Sequence, residues 1–272
     1  MIGIEPAGLV LQPRDYQLLR ELGTLRVMDR EQAKLMGPFR STTRANTRLL
    51  ALTHHGLLIR HAVGTVAGGH KHLYALTPAG ARLVDTPYRG RPWSRDALLA
   101  GSLGLEHQLR INAVYLLLMR QVIPLPGVRV LQWRSFSHPV SSTVRLIPDG
   151  YVELDTPLGV RAWFLEMDRG TESRRTWLAK THAYMRFAVS GAFTTQFGQG
   201  QFGVLVIAPS ERRVHSLRTA LAGVTKKLFW FASFEVLRAD TFWTPLWWRP
   251  TGTERHPLIL TTPCVIAPTA GT

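Results

Sequence analysis

Two apolar runs of this chain carry carboxylates, and that placement constrains the fold more than any other feature. Asp149 closes the run Ile147-Pro148, and Glu166 and Asp168 fall inside Ala162-Trp163-Phe164-Leu165-Glu166-Met167-Asp168. If the two runs are adjacent strands, the three acids converge at one place. Carboxylates gathered in this way can ligate a hard divalent cation such as Mg²⁺. Mg²⁺ is the usual clamp in phosphodiester chemistry.

The surroundings of these acids are basic. The chain has 272 residues, of which 33 are Lys or Arg and 18 Asp or Glu, so the formal charge is +15 and the pI about 11.1. Such a balance points to a polyanion, nucleic acid above all. Arginine far outnumbers lysine, which suits phosphate forks and guanine edges. Residues 1–95 hold 14 Lys/Arg against 6 Asp/Glu and residues 96–272 hold 19 against 12, so neither half monopolises the charge. With 45% hydrophobic residues the chain can bury a core, and its length suits two modest domains. A single cysteine, Cys264, excludes a disulfide framework or a cysteine zinc site within one chain. It fits a reducing cytoplasm. No signal peptide and no membrane span are expected, since no apolar run approaches about 18 residues.

The first hundred residues read as three helices and a hairpin. Pro13 opens a helix to about Leu22, striped by Leu18, Leu19 and Leu22. Asp29 caps a short helix Arg30–Met36, which Gly37-Pro38 ends. Ser41 or Thr42 caps a third helix to about His54, with Ala45, Leu49 and Leu52 inward. Its other face carries Thr43, Arg44, Asn46, Thr47 and Arg48, with Arg40 just ahead of it. These side chains can reach base edges and phosphates, or form an ordinary solvated face. A strand from Leu57, a polar connection and a strand Lys71–Leu76 follow, and Thr77-Pro78-Ala79-Gly80 starts another helix. Lys71 and His72 stand at the hairpin tip, placed to meet a DNA backbone or minor groove. The segment resembles bacterial winged-helix regulators, on Gly56-Leu57-Leu58 and Tyr74-Ala75-Leu76-Thr77-Pro78-Ala79-Gly80. A winged-helix domain is therefore expected over 1–85, with a Pro/Gly/Arg-rich linker over 86–100.

The second half, 101–250, reads as α/β. A long helix, Leu103–Gln121, precedes strands Val128–Phe136, Val144–Leu154 and Gly159–Asp168. A helix Ser173–Ala188, a strand Gly203–Ala208, a helix Glu211–Ala222 and a last core strand Phe229–Leu237 complete it. The aromatic run Phe242–Trp248 reads as core or oligomer interface, with base stacking on single strands as the alternative. Residues 251–272 read as a tail.

This order, an αβββαβ core with Pro148-Asp149 on one strand and an acidic pair on the next, resembles the PD-(D/E)xK nuclease superfamily. The resemblance implies Asp149, Glu166 and Asp168 as ligands of Mg²⁺ or Mn²⁺. Asp168 stands where that superfamily has its lysine, and an acid supplies no positive charge to a transition state. Lys180, on the following helix, is the best candidate for a displaced lysine; Arg174 and Arg175 are weaker ones. Over residues 12–248 the chain resembles the replication-relaxation family of bacterial mobile elements. The match rests on Pro148-Asp149, on Glu166-Met167-Asp168-Arg169-Gly170-Thr171-Glu172, and on Lys180 and Tyr184.

That resemblance implies a double-stranded DNA-binding protein acting in replication, relaxation or transfer of such an element. A homodimer and other DNA-processing proteins of the same element are the expected partners. Two rivals stay open, a Mg²⁺- or Mn²⁺-dependent endonuclease and a repressor of the element's own genes. The acids also have an ordinary reading, as ion-pair partners of Arg145, Arg161 or Arg169. No phosphate-binding Gly-x-x-x-x-Gly-Lys-Ser/Thr loop is present.

Overall fold

The structure, a computed structural model, describes residues 8–37, 39–64, 68–90, 103–142 and 144–260. Most of the expected linker and Cys264 with the end of the expected tail lie outside them. The chain divides into two compact units, Met1–Gln121 and Val122–Thr272. No described helix is long and apolar enough to cross a membrane.

The first unit runs α1 (Pro13–Leu25), β1 (Met28–Asp29), α2 (Arg30–Met36), α3 (Thr42–His54), β2 (Leu58–Gly64), β3 (His70–Leu76), α4 (Pro78–Leu83) and α5 (Leu103–Arg120). Local chemistry sets the helix starts. Asp29 accepts from the Gln32 amide at 2.8 Å, Ser41 from Arg44 at 3.2 Å and Thr77 from Gly80 at 2.9 Å. Ala45, Leu49 and Leu52 are fully buried, as their spacing predicts. β2 and β3 pair antiparallel from Leu58↔Leu76 to Gly64↔His70. The two-residue β1 joins β3 on its other side, which no periodicity could have announced.

The long helix α5 corrects the expected domain boundary. Gln32 Nε2 donates to the Leu109 carbonyl at 2.8 Å, and Asn112 Nδ2 to that of Val27 at 2.5 Å. Leu105 packs with Val27, Leu73 and Ala75. The helix therefore closes the first unit rather than opening the second. Its apolar stripe alone does not say which core it covers.

One contact fastens α3's exit to the hairpin and α4. The Thr77 hydroxyl donates to the Gly56 carbonyl at 2.6 Å, and the Thr77 amide to that of Leu57 at 3.1 Å. Gly80 lies against the same Leu57 carbonyl, where a Cβ would stand 2.1 Å from the oxygen. Gly-Leu-Leu and Thr-x-x-Gly are the two halves of this contact.

The second unit has β4 (Arg129–Arg134), β5 (Gly150–Asp155), β6 (Arg161–Met167), α6 (Arg174–Val189), α7 (Ala192–Phe197), β7 (Gly203–Ala208), α8 (Glu211–Leu221), β8 (Phe229–Ser233), β9 (Trp247–Trp248) and β10 (Arg255–His256). The seven strands form one sheet in the order β10-β9-β8-β7-β6-β5-β4. β7 is parallel to both neighbours, β6 and β8, and the other pairs are antiparallel. Phe164, Val204, Val206, Phe229 and Phe231 form one face with Trp177, Tyr184, Phe187, Val214, Leu217 and Leu221 of the helices. Phe242, Trp243 and Trp247 are buried, so most of the aromatic run is core.

Three boundaries differ from expectation. β5 begins at Gly150, because Pro148 has no amide for a ladder and the Val140 amide instead bonds the Leu146 carbonyl just ahead of it, at 2.8 Å. Asp149 and Asp168 therefore flank β5 and β6 instead of lying within them. β8 stops at Ser233, where a 3₁₀ turn, Phe234–Val236, leads the chain to two short strands the sequence did not show.

Gly80→Ala offers a test of the Gly80–Leu57 contact. Helix propensity alone would favour alanine by about 1 kcal/mol. Collision with a backbone carbonyl should instead destabilise the protein by about 1–3 kcal/mol, read as a lower urea midpoint with an unchanged m-value.

Candidate functional site

β6 ends in two carboxylates that water barely reaches: Glu166 is 3% and Asp168 1% exposed. Three of the groups that hold them come from one face of α6, where Trp177, Lys180 and Tyr184 are spaced as helical neighbours. Lys180 Nζ donates to Glu166 Oε2 at 2.9 Å and Tyr184 Oη to Glu166 Oε1 at 2.6 Å. Lys180 Nζ also donates to Glu172 Oε1 at 3.0 Å. The cation beside Glu166 is thus Lys180, and not Arg145, Arg161 or Arg169.

Asp168 is more heavily held. Arg213, from the first turn of α8, donates through Nε to Oδ2 at 2.7 Å and through Nη2 to Oδ1 at 3.1 Å. Trp177 Nε1 donates to Oδ1 at 3.2 Å and the Gly170 amide to Oδ2 at 3.0 Å. Arg213 Nη2 also donates to the Glu172 carbonyl at 2.6 Å. Gly170 turns with φ +81, a conformation that favours glycine. The signature Glu-Met-Asp-Arg-Gly-Thr-Glu is therefore one hydrogen-bonded loop clamped by α6 and α8.

Asp149 joins from the start of β5. It is half-buried, and its Oδ2 accepts from the Met167 amide at 2.7 Å. Burial, with the Asp149 charge added, pushes the Glu166 carboxyl up to about 7, against the pull of Lys180 and Tyr184. Lys180 moves up too, its burial outweighed by Glu166 and Glu172. The Tyr184 hydroxyl is driven well above its ordinary range by burial and the Glu166 charge.

A divalent cation needs open carboxylate oxygens around it. Both oxygens of Asp168 are taken up by donors, and each oxygen of Glu166 already holds an ammonium or a phenol. No group of three His, Cys, Asp or Glu side chains suited to a metal occurs among the described residues. The residues present do not fit a divalent cation, and Asp168, expected as a ligand and catalytic group, is instead the anchor of Arg213. Arg174 and Arg175 are exposed at the start of α6.

In the first unit, Arg40, Thr43, Arg44 and Thr47 are exposed around the start and outer face of α3, and Asn46 is half-exposed. Arg48 is otherwise engaged. Its Nε donates to Asp15 Oδ1 at 2.8 Å and its Nη2 to the Val10 carbonyl at 2.8 Å, and Asp15 is fully buried. Lys71 Nζ pairs with Asp29 at 2.5 Å while its side chain stays 45% exposed. His72 is exposed on β3. Partial burial and the positive charges of Arg60, His70 and Arg30 hold it below its ordinary value.

Arg213 and Trp177 were not singled out from sequence. One signal was available: Arg212-Arg213 lies in the first turn of a helix, where the dipole disfavours cations. An arginine there needs a carboxylate elsewhere.

Removing Arg213 leaves a buried, uncompensated Asp168. Arg213→Ala should cost about 3–5 kcal/mol of stability, measured by urea unfolding, and Arg213→Lys should recover only part, since an ammonium cannot make the bidentate pair. Glu166 predicts a pH effect. Its raised pKa favours folding while it is protonated, so its contribution is complete below the ordinary value of 4.5 and is lost as pH rises through about 7. The urea midpoint should fall from about pH 5 to about pH 8, and Glu166→Gln should flatten that slope.

No match occurs among curated proteins or among solved structures. Residues 19–202, more than half of the chain, match the family described as replication-relaxation, and the chain belongs to that family.

Proposed function

We propose that this chain is a DNA-binding protein of a plasmid or integrative element, serving its replication, relaxation or transfer. In this reading the first unit is a winged helix that reads duplex DNA. The observation that carries it is the free face of α3: Arg40, Thr43, Arg44, Asn46 and Thr47 stand outward while Ala45, Leu49 and Leu52 are buried. The hairpin adds a second cationic surface, with Arg30, Arg60, His70 and Lys71 around His72. Cations so placed meet phosphates, and Asn and Thr meet base edges. Arg48 contributes by fixing α3 on α1 through Asp15.

The second unit we read as a PD-(D/E)xK-like fold whose site is degenerate. Its antiparallel β4-β5-β6, the crossover through α6 to the parallel β7, and acids at the ends of β5 and β6 support that ancestry. The saturation of Asp168 by Arg213 and Trp177 supports loss of the metal site. The rival endonuclease keeps one observation in its favour, the 2.9 Å contact between Lys180 and Glu166.

Arg40→Ala/Arg44→Ala should weaken duplex binding at least about tenfold at fixed salt, and lower the slope of log K against log salt by about two. Fluorescence anisotropy on a labelled duplex reads both, and unchanged affinity would remove α3 as the reader. Incubation with duplex, nicked, branched and single-stranded DNA in Mg²⁺, Mn²⁺ or EDTA tests the second unit. No metal-dependent cleavage is expected; cutting abolished by Asp149→Ala and by Lys180→Ala would establish the endonuclease instead.

A further inference from the structure

The face of the second unit's sheet that does not carry Glu166 holds a cleft of about 350 Å³. That volume is within the range of small-ligand sites, roughly 300–1,000 Å³. Its floor is Gly203 of β7, flanked by Trp163 of β6 and Trp230 of β8. A Cβ on Gly203 would lie 2.9 Å from Trp163 Nε1 and 3.3 Å from Trp230 Nε1, so the two indole N–H edges converge over it. Neither indole N–H donates to a described group. Only a residue without a side chain lets both indole edges approach the strand this closely.

The walls are cationic. Arg161, Lys227 and Arg249 line the cleft, and no Asp or Glu does. Among the described residues no carboxylate pairs with any of the three. Arg249 lies 4.1 Å from the centre of the Trp230 ring and donates to the Lys227 carbonyl, and its Nη1 has no hydrogen-bond partner. Lys227 is exposed and Arg161 half-exposed, so both charges are open to a ligand. An occupant must therefore be anionic, flat enough to lie against indole, and supplied with acceptors for two N–H groups. A nucleotide has all three properties: phosphate for the cations, a π-face for Trp230, and ring carbonyls for the indole donors. A paired base hides its face in the stack, so the occupant has to be unpaired.

We propose that this cleft binds an unpaired nucleotide of single-stranded DNA, with its base against the half-exposed Trp230 and its phosphate at Arg161 and Lys227. The site does not rest on the duplex-reading role of α3, and it uses none of the acidic residues at the end of β6.

The test uses the full chain and anisotropy of a labelled oligothymidylate beside a labelled duplex. Trp230→Ala and Lys227→Glu should each weaken single-strand binding about tenfold or more while leaving duplex affinity within about twofold. Trp230→Phe keeps an aromatic face and should retain most of the affinity, which separates stacking from a folding defect. Arg40→Ala/Arg44→Ala should do the reverse, so failure of the α3 reading and failure of this one are distinguishable. Single-strand affinity unchanged in both Trp230→Ala and Lys227→Glu overturns the proposal. Displacement of the oligonucleotide by thymidine monophosphate at equal molar concentration overturns the strand as occupant.

Discussion

Two nearly dry carboxylates at the end of β6 are the constraint around which the second unit is arranged. An ionised carboxylate without partners is among the costliest groups to bury, so Glu166 and Asp168 tolerate burial only if cations and donors arrive with them. Those partners come from three places along the chain. Lys180 and Tyr184 lie 14 and 18 residues beyond Glu166, and Arg213 lies 45 residues beyond Asp168. The two carboxylates thus tie β6 to both α6 and α8, the helices that cover the Phe164–Phe231 face of the sheet. Apolar burial supplies the larger driving force, but it is non-directional. The bidentate Asp168–Arg213 pair and the Glu166–Lys180 contact specify which turn of each helix meets the strand end.

Arg48 of the first unit obeys the same logic. It faces Asp15, a buried acid in the first turn of α1. Since α3 carries the outward face of Thr43, Arg44 and Thr47, this pair fixes α3 on α1 while leaving that face free. From sequence alone Arg44 and Arg48 are indistinguishable, two arginines one helical turn apart. What separates them is a carboxylate 33 residues earlier that folding places under one and not the other.

That contrast marks what the sequence made legible. Ser41, Thr77 and Asp29 were readable because a capping side chain bonds an amide two or three residues on, so cause and effect share one short window. The strands of Val204–Ala208 and Ala162–Met167 were readable because continuous apolar runs suit doubly covered strands. Glu166 and Lys180 were legible as a pair through the family signature, and the structure brings them to hydrogen-bond distance. Asp168 reads as a metal ligand because its carboxylate invites a metal, while the arginine that meets it in the structure sits in an unremarkable basic helix start. β1, β9 and β10 are two residues each, below any period. The allegiance of α5 depended on Gln32 and Asn112, polar side chains whose partners are distant carbonyls.

β6 gives the second unit two separate surfaces. Side chains alternate along a strand, so Arg161 and Trp163 face one way while Ala162, Phe164 and Glu166 face the other. Phe164 is fully buried and Ala162 and Trp163 nearly so, so both faces of the strand are covered along most of its length, and the face of Trp163 meets Gly203 and Trp230. A substitution in the carboxylate network acts on the anchoring of α6 and α8. A substitution at the cleft acts on a glycine floor and an arginine-stacked indole contributed by β7 and β8. The residues matched to the family, 19–202, include Arg161 and Trp163 but not Arg213, Lys227, Trp230 or Arg249. Both features are therefore completed by the segment from β7 onward, which inserts the parallel strand beside β6 and brings the arginines to it. The carboxylate pair gives its oxygens to Lys180, Tyr184, Trp177 and Arg213 on one side of β6, while Arg161, with no acid beside it, lies on the other face of the same strand.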